Sequence, residues 1–298
     1  MAIAHVPQIE GIRQQQAKPR SPWSIALERL WSNKTAMTGL GILLLLALLS
    51  AAAPKIAPYD PLIMNLPKQL QPPSREFLLG TDLLGRDTLS RLLYGGRTTL
   101  VIALFAVGIS LVTGVLLGLV SGFYGGMADS LIMRFVDMLL AFPRILLALC
   151  VVALLGVGLG NVMIAVGIAG ISGYARVVRG AVLSAKEHVY VEAARVVGCS
   201  SNRIMFRHVL PNVVAPVIVL ATLDVAHAIL AAASLSFLGL GAQPPTPEWG
   251  LMLNEGKNYL RVAPWITTVP GLTIMLTVLC INMFGDGLRD ALDPRLRV

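Results

Sequence analysis

The sequence has 298 residues, of which 55% are hydrophobic and only 13% are charged, and its mean hydropathy is +0.73. These values exclude an ordinary soluble domain and predict an integral membrane protein. The formal net charge of +8 does not indicate a nucleic-acid partner, because aromatic residues are sparse and the basic residues fall between apolar blocks.

Apolar blocks long enough to cross a bilayer as helices follow one another along the chain. The predicted spans are residues 36–53, 99–122, 137–155, 162–181, 213–238 and 265–284. The preceding segment has basic residues and no apolar core, which predicts a solvated tail rather than a cleavable signal. Its basic residues include Arg13, Lys18, Arg20 and Arg29. Pro54 ends the first span, and further prolines up to Pro73 predict a loop without long helices.

The distribution of Lys and Arg predicts the orientation of the six spans. Basic residues concentrate in the N-terminal tail and in the loop 182–211, whereas the loop 239–264 has only Lys257 and Arg261. The loop 54–97 is also basic, but long segments translocate largely regardless of their charge. We therefore expect an all-α membrane fold with both termini in the cytoplasm. Its predicted parts are a tail at 1–35, a first helix at 36–53, an external loop at 54–97, a core domain at 98–284 and a tail at 285–298.

Small residues recur every four positions in the second predicted span. They are Ala106, Ser110, Gly114, Gly118 and Gly122. A stripe of small side chains lets the backbone of another helix approach closely. The second span is therefore expected to pack tightly against a neighbour.

The cytoplasmic loop 182–211 predicts two short helices separated by a turn. Residues 187–197 have the spacing of an amphipathic helix, with Val189, Ala193, Val196 and Val197 on one side. Gly198 suits the C-cap of this helix. Ser200 or Ser201 can cap a second helix that reaches His208 before Pro211 closes the segment. The pattern alone is compatible with a force-transmitting element and with an ordinary interfacial helix.

A motif in this loop points to a family. Glu192-Ala193-Ala194 is followed by Gly198 and then by Leu210-Pro211. The pattern resembles the EAA loop of the membrane permease subunits of ATP-driven importers, in which a short helix docks on a separate ATPase subunit. The docking residues that this resemblance implies are Glu192, Ala193, Ala194, Gly198, His208, Leu210 and Pro211. His208 departs from the family pattern, which usually has an aliphatic residue at that position.

Three further segments narrow the resemblance. Leu79-Gly80-Thr81-Asp82 precedes Gly85-Arg86-Asp87 and Ser90-Arg91, while residues 241–250 and 285–294 read GAQPPTPEWG and GDGLRDALDP. These segments are similar to the C-type permease of the dipeptide, oligopeptide and nickel importer group, including its glutathione branch. The resemblance covers the chain from about residue 36 to its end. It implies the transmembrane-domain fold of type I ABC importers, in a bacterial inner membrane.

The same resemblance implies partners and excludes covalent chemistry in this chain. The expected partners are a B-type permease subunit, two ATPase subunits and an external substrate-binding protein. The expected cargo is a di- or oligopeptide that moves through the permease by alternating access, with glutathione or nickel as alternatives. ATP and magnesium are expected to bind to the ATPase subunits, so no cofactor and no catalytic or metal-ligating residue is assigned here. Gly80 and Gly85 have the spacing of a phosphate loop, but Arg86-Asp87 replaces the required Lys and Ser or Thr. We expect Arg86 and Asp87 to pin a turn instead.

Ionisable residues inside predicted spans are costly in lipid and should face the bundle interior or water. Arg144 and Asp224 fall near mid-membrane by helical rise, with His227 one turn beyond Asp224. One interpretation places all three on the substrate path, where Arg144 meets a peptide carboxylate and Asp224 a peptide amine. The other is an internal Arg144–Asp224 pair or passive exposure to water.

Two local features are predicted to be structural. Arg134 and Asp137 have the spacing of an ion pair on one helix face. Pro143 and Pro270 lie within predicted spans and are expected to kink them.

Two other classes of membrane protein remain as alternatives. A membrane enzyme would need a nucleophile, a base and an orienting group near one membrane face, and the sequence offers no convincing set. An ion-coupled secondary carrier would use Arg144, Asp224 and His227 as coupling charges.

Overall fold

A computed structural model describes residues 22–292, and within that range the chain is helical without a β-sheet. The helices are α1 Pro22–Ser32, α2 Lys34–Ala51, α3 Ala53–Ile56, α4 Thr88–Tyr124, α5 Gly126–Leu140, α6 Arg144–Leu155, α7 Leu159–Lys186, α8 Val189–Val196, α9 Ser201–Arg203, α10 Leu210–Phe237, α11 Trp249–Gly256 and α12 Trp265–Leu292. Two short 3₁₀ turns, Leu66–Lys68 and Lys257–Tyr259, and a π-helical segment, Ile204–Val209, complete the order. The basic residues Arg13, Lys18 and Arg20 of the predicted tail lie outside the described residues.

Among residues 22–292, five helices have the length and apolar composition to cross a membrane: α2, α4, α7, the continuous helix from Ser201 to Phe237, and α12. A sixth crossing exists if α5 and α6, which meet at a bend of 93°, are taken as one span. The predicted all-α membrane fold is therefore confirmed.

The predicted span 137–155 is interrupted between Leu140 and Arg144, so the predicted kink at Pro143 is confirmed and is a full break of the helix. Pro143 lacks the N–H that would continue the α5 ladder, and the residue before a proline is disfavoured in the helical region. Pro143 instead has an extended ψ of 135° at the N-cap of α6. With 12 residues, α6 is only about 18 Å long, shorter than a bilayer core.

Other helix limits also differ from the sequence-based ones. Helix α4 begins at Thr88, eleven residues before the predicted start, because Asp87 accepts a hydrogen bond from the Ser90 N–H and caps it. Pro22–Ser32 of the predicted N-terminal tail forms a helix that packs on α12. Helix α12 itself continues to Leu292, through most of the predicted C-terminal tail.

The predicted stripe of small residues packs α4 closely against α7. Ala106, Ser110, Gly114, Gly118 and Gly122 are all buried. A Cβ on Gly114 would lie 2.5 Å from the Cβ of Tyr174, and one on Gly118 would lie 2.5 Å from the carbonyl oxygen of Ala175. The Ser110 hydroxyl donates to the Gly167 carbonyl at 2.7 Å, so the two backbones are also joined by a hydrogen bond.

We expect Gly118→Ala to destabilise the chain by about 1–3 kcal/mol, because the added methyl group forces α4 away from α7. Gly108→Ala is the matched control on the same helix, since a Cβ there meets nothing within 4 Å. Alanine has the higher helix propensity, so the control should be neutral or slightly stabilising. Thermal unfolding midpoints in detergent measure both changes, and equal midpoints for the two variants would contradict the prediction.

The predicted Arg134–Asp137 pair on one helix face is wrong. The Asp137 carboxylate on α5 accepts from Arg176 on α7 at 2.7 Å, and Arg134 is exposed. A second pair joins the same helices, because Arg179 binds the two oxygens of Asp129 at 2.6 Å each. The two pairs therefore fasten α5 to α7.

Candidate coupling surface and membrane charge cluster

The first candidate site is α8, the short helix that carries the EAA motif. It ends where predicted, because Gly198 has φ of +81°. The Gly198 N–H donates to the Arg195 carbonyl at 2.9 Å, and the Cys199 N–H donates to the Ala194 carbonyl at 3.0 Å. This pair of hydrogen bonds is a Schellman motif, so the C-cap prediction is confirmed.

Helix α8 is anchored to the protein by one side. Val191 is fully buried in an apolar cluster that includes Val182, Ile204 and Met205. Ala194 and Leu210, from the two ends of the EAA motif, pack against the same cluster. The spacing of the motif therefore brings both of its ends onto one core.

The opposite side of α8 is exposed and, apart from Glu192, apolar. It is formed by Val189, Glu192, Ala193, Val196 and Val197, here called the α8 surface. The Val196 side chain is 87% exposed, and the other two valines are nearly as accessible. The side of the helix predicted from its spacing thus faces away from the chain rather than into it.

The loop around α8 is held to the end of α4. The Lys186 ammonium donates to the carbonyls of Gly122 and Phe123 at 3.1 and 2.9 Å, which satisfies two acceptors in the last turn of α4. The Tyr124 hydroxyl lies 3.3 Å from Oδ1 of Asn202. These contacts tie both flanks of α8 to α4.

The second predicted helix of this loop begins at Ser201 as expected but does not stop before Pro211. The π-helical segment Ile204–Val209 leads directly into α10, and Pro211 lies in the first turn of that helix. A π-helical turn shifts the carbonyl groups that a proline ring would otherwise meet, so the helix passes through. His208 lies half-buried in the π-helical segment, and Pro211 is exposed.

The second candidate site is a charge cluster between α6, α7 and α10. Arg144, at the start of α6, donates to Oδ1 of Asp224 on α10 at 2.8 Å. The Asp224 side chain is 6% exposed, whereas that of Arg144 is 47% exposed. Arg144, His227 and Ser234 line a cavity of about 230 Å³ whose other walls are apolar side chains of the three helices. The sequence-based ion pair is therefore formed, and Arg144 also faces open space.

A third cluster holds the segment before α4 against α11. Asp82 accepts from Nε of Arg86 at 2.6 Å and from Nη1 of Arg91 at 2.5 Å. Glu255 accepts from Nη2 of Arg86 at 3.1 Å and from Nη1 of Arg91 at 2.7 Å. Both arginines are buried, so the network joins two charges of each sign away from solvent.

Next to this network, the segment 241–250 packs on the first turns of α4. Glu248 caps α11 by accepting from the N–H groups of Gly250 and Leu251, and it also accepts from the Thr99 hydroxyl at 3.0 Å. Burial raises the pKa of the Glu248 carboxyl, while those hydrogen bonds oppose the rise. The Trp249 indole donates to the Leu92 carbonyl at 2.9 Å.

Comparison with protein families decides the class of the chain. The family described as the binding-protein-dependent transport system inner membrane component matches residues 114–298, which is more than half of the chain. This chain belongs to that family. The N-terminal transmembrane domain of oligopeptide transport permease C matches residues 21–73 of the permease.

Curated relatives match the permease over most of its length. The di/tripeptide transport system permease protein DppC of Pseudomonas aeruginosa is 50% identical over 281 residues, covering 91% of this chain and 93% of that protein. The dipeptide transport system permease protein DppC of Alkalihalophilus pseudofirmus is 47% identical over 277 residues, covering 93% and 91%. The glutathione transport system permease protein GsiD of Pectobacterium atrosepticum is 46% identical over 280 residues, covering 93% of each. The predicted C-type permease resemblance is confirmed.

Among solved structures, a chain of the MetNI methionine ABC transporter in an inward-facing conformation has the same fold. The TM-score is 0.55 at 18% identity, covering 68% of the permease and 96% of that chain. The predicted type I ABC importer fold is confirmed by this match.

Sequence reasoning missed some of the residues that form these sites. It identified Arg86 and Asp87 as pins of a turn, and the structure confirms both roles. It did not identify Glu255, which binds Arg86 from 169 residues away. It also missed Tyr174, a buried residue on α7 that lies next to Asp224. Tyr174 could have been noticed in the sequence, because its hydroxyl group lies within the otherwise mostly apolar predicted span 162–181.

Proposed function

We propose that this permease forms half of the translocation path of a bacterial ATP-driven importer of di- and tripeptides. A B-type permease subunit forms the other half, two ATPase subunits bind ATP and magnesium, and an external binding protein delivers the peptide. The permease itself carries out no covalent chemistry. The names of the di/tripeptide and dipeptide relatives support this cargo.

The observation that carries the coupling proposal is the α8 surface. Exposed valines on a rigidly anchored helix leave apolar area in water, and a docked partner would remove that cost. Lys186, Arg195, Arg203 and Arg207 in and beside the loop support a cytoplasmic position, where ATPase subunits have access to ATP. The proposed contact residues are Glu192, Ala193, Ala194, Gly198, His208, Leu210 and Pro211, with Ala194 and Leu210 acting through the core beneath.

In this mechanism, closure of the ATPase subunits moves α8, and α8 moves the helices to which it is anchored. The permease then alternates between outward and inward access. Arg144 and His227 line the cavity between α6, α7 and α10, and Asp224 binds Arg144 from the enclosed side; all three are proposed to belong to the path of the peptide.

Glutathione is the second candidate cargo, because the Pectobacterium atrosepticum relative is a glutathione permease at nearly the same identity. Glutathione is itself a tripeptide, so the same groove chemistry serves both cargoes. Uptake of a radiolabelled dipeptide is measured with unlabelled glutathione as competitor, and uptake of labelled glutathione with the unlabelled dipeptide as competitor. The two measurements show which of the two cargoes the importer prefers.

The test of the function is transport by the assembled importer in proteoliposomes that contain all partner subunits. We expect peptide uptake that requires ATP and the binding protein and is blocked by vanadate. Uptake by this chain alone, driven by a proton or sodium gradient and indifferent to ATP, would overturn the proposal in favour of an ion-coupled carrier.

A further inference from the structure

Arg144, which is paired with Asp224, is partly exposed in the cavity between α6, α7 and α10. Arg144 uses Nη2 to bind Asp224, and its side chain is 47% exposed on the wall of the 230 Å³ cavity. A guanidinium has five N–H donors in a planar fork, so one hydrogen bond to Asp224 leaves most of them free. Because Arg144 lines the cavity, a ligand in the cavity can reach its side chain.

The surroundings hold Arg144 in this position. Its guanidinium passes directly over Gly170 of α7, where a Cβ would lie 3.0 Å from Nη2. Beside the pair, the buried Tyr174 hydroxyl of α7 lies next to Asp224.

The asymmetry of the pair argues against a purely structural role. Enclosing an ion pair stabilises a protein only when further hydrogen bonds satisfy the remaining donors and acceptors of both charges. Here Asp224 is enclosed at 6% exposure, whereas Arg144 is open to the cavity. Asp224 therefore orients and neutralises a guanidinium whose other side remains available to a ligand.

The size and polarity of the cavity define what can bind. Its volume of about 230 Å³ is below the range of roughly 300–1,000 Å³ found for sites that enclose a whole small molecule. The walls other than Arg144, His227 and Ser234 are apolar. Such a site accommodates one end of a peptide, namely a terminal carboxylate and the apolar part of its last residue.

From this geometry we infer that Arg144 binds the C-terminal carboxylate of the peptide during translocation, with Asp224 and Gly170 positioning the guanidinium. The inference rests on the proposed peptide import. Two oxygens of a carboxylate match two parallel N–H groups of the fork, so recognition depends on the terminus and not on the side chains. Each peptide in transit then presents the same group to the same residue.

The test compares uptake of one dipeptide with uptake of its C-terminal amide by the reconstituted importer. With the same binding protein present throughout, the change in the acid-to-amide ratio between permease variants isolates the contribution of the permease. We expect Arg144→Gln to lower that ratio about tenfold, as the loss of a charge-assisted pair implies. Arg144→Lys keeps the positive charge but not the planar fork of N–H groups, so its acid-to-amide ratio should lie between those of the wild type and Arg144→Gln. An unchanged ratio in Arg144→Gln would overturn the inference.

Arg176→Gln is the matched control, because Arg176 forms an exposed ion pair with Asp137 and does not line the cavity. The acid-to-amide uptake ratio of Arg176→Gln should equal that of the wild type. If Arg144→Gln does not assemble because Asp224 is left buried without its partner, the double variant Arg144→Gln/Asp224→Asn removes that charge. The acid-to-amide ratio is then measured with the double variant. Failure of the double variant to assemble would show that the pair is structural and overturn the inference. Absence of ATP-dependent peptide uptake in the wild type would instead overturn the proposed function.

Discussion

Val196→Asp on α8 is expected to abolish most ATP-driven uptake while leaving the fold of the permease intact. Val196 is 87% exposed, so its replacement removes few contacts within the chain. A carboxylate on the apolar α8 surface would have to lose its hydration against the ATPase subunit. Substitutions at the centre of an interface cost about 2–4 kcal/mol, so docking should weaken by about 30-fold or more. Uptake and ATP hydrolysis stimulated by the binding protein both measure this loss.

Val262→Asp is the control for that experiment. Val262 lies between α11 and α12 and is 69% exposed, so it presents a similar valine on the loop predicted to face the opposite side of the membrane. Its variant should transport normally, and both variants should keep the wild-type thermal midpoint. If Val196→Asp and Ala193→Asp both retain uptake within about twofold of wild type, the α8 surface is not the docking site.

Asp82→Asn should destabilise the permease by about 3–5 kcal/mol. The substitution keeps the shape of the side chain but removes one of two carboxylates that neutralise Arg86 and Arg91, leaving an uncompensated buried charge. Nη1 of Arg86 and both Nε and Nη2 of Arg91 already lack hydrogen-bond partners among residues 22–292. The surroundings therefore offer no further acceptor that could replace the lost carboxylate. Thermal unfolding in detergent should show a midpoint lower by at least about 6 °C.

Glu76→Gln is the control for the buried network. Glu76 pairs with Lys68 on the surface, where an ion pair contributes between about 0 and 1 kcal/mol. Its midpoint should stay close to that of the wild type. Equal midpoints for Asp82→Asn and Glu76→Gln would show that the buried network does not hold the segment before α4 in place.

The membrane helices could be predicted because apolar content over about 20 residues is a local property of the sequence. The start of α4 could not, since its first turns contain Arg91 and Arg97, and charge in this stretch indicated a loop. Burial of Arg91 depends on Asp82 and on Glu255, which is 164 residues further along the chain. Tertiary pairing of this kind leaves no local pattern.

The candidate site shows the same limit. The spacing of residues 187–197 predicts α8, and Gly198 predicts its end, because both depend on backbone geometry within a few residues. Spacing also shows which valines share a side. It does not show that Val191 alone is buried while Val189, Val196 and Val197 are exposed, since that depends on neighbours from α7 and from the π-helical segment.

The uninterrupted helix from Ser201 to Phe237 gives the permease a lever arm. Asp224 lies 23 residues beyond Ser201, or about 35 Å along the helix axis. A rotation of this arm by about 10° at its α8 end would displace Asp224 by several ångströms, whereas Arg144 is carried by the separate helix α6. In the proposed mechanism, movement of α8 by the ATPase subunits would therefore change the separation of Arg144 and Asp224, and with it the position of the guanidinium that we propose holds the peptide carboxylate.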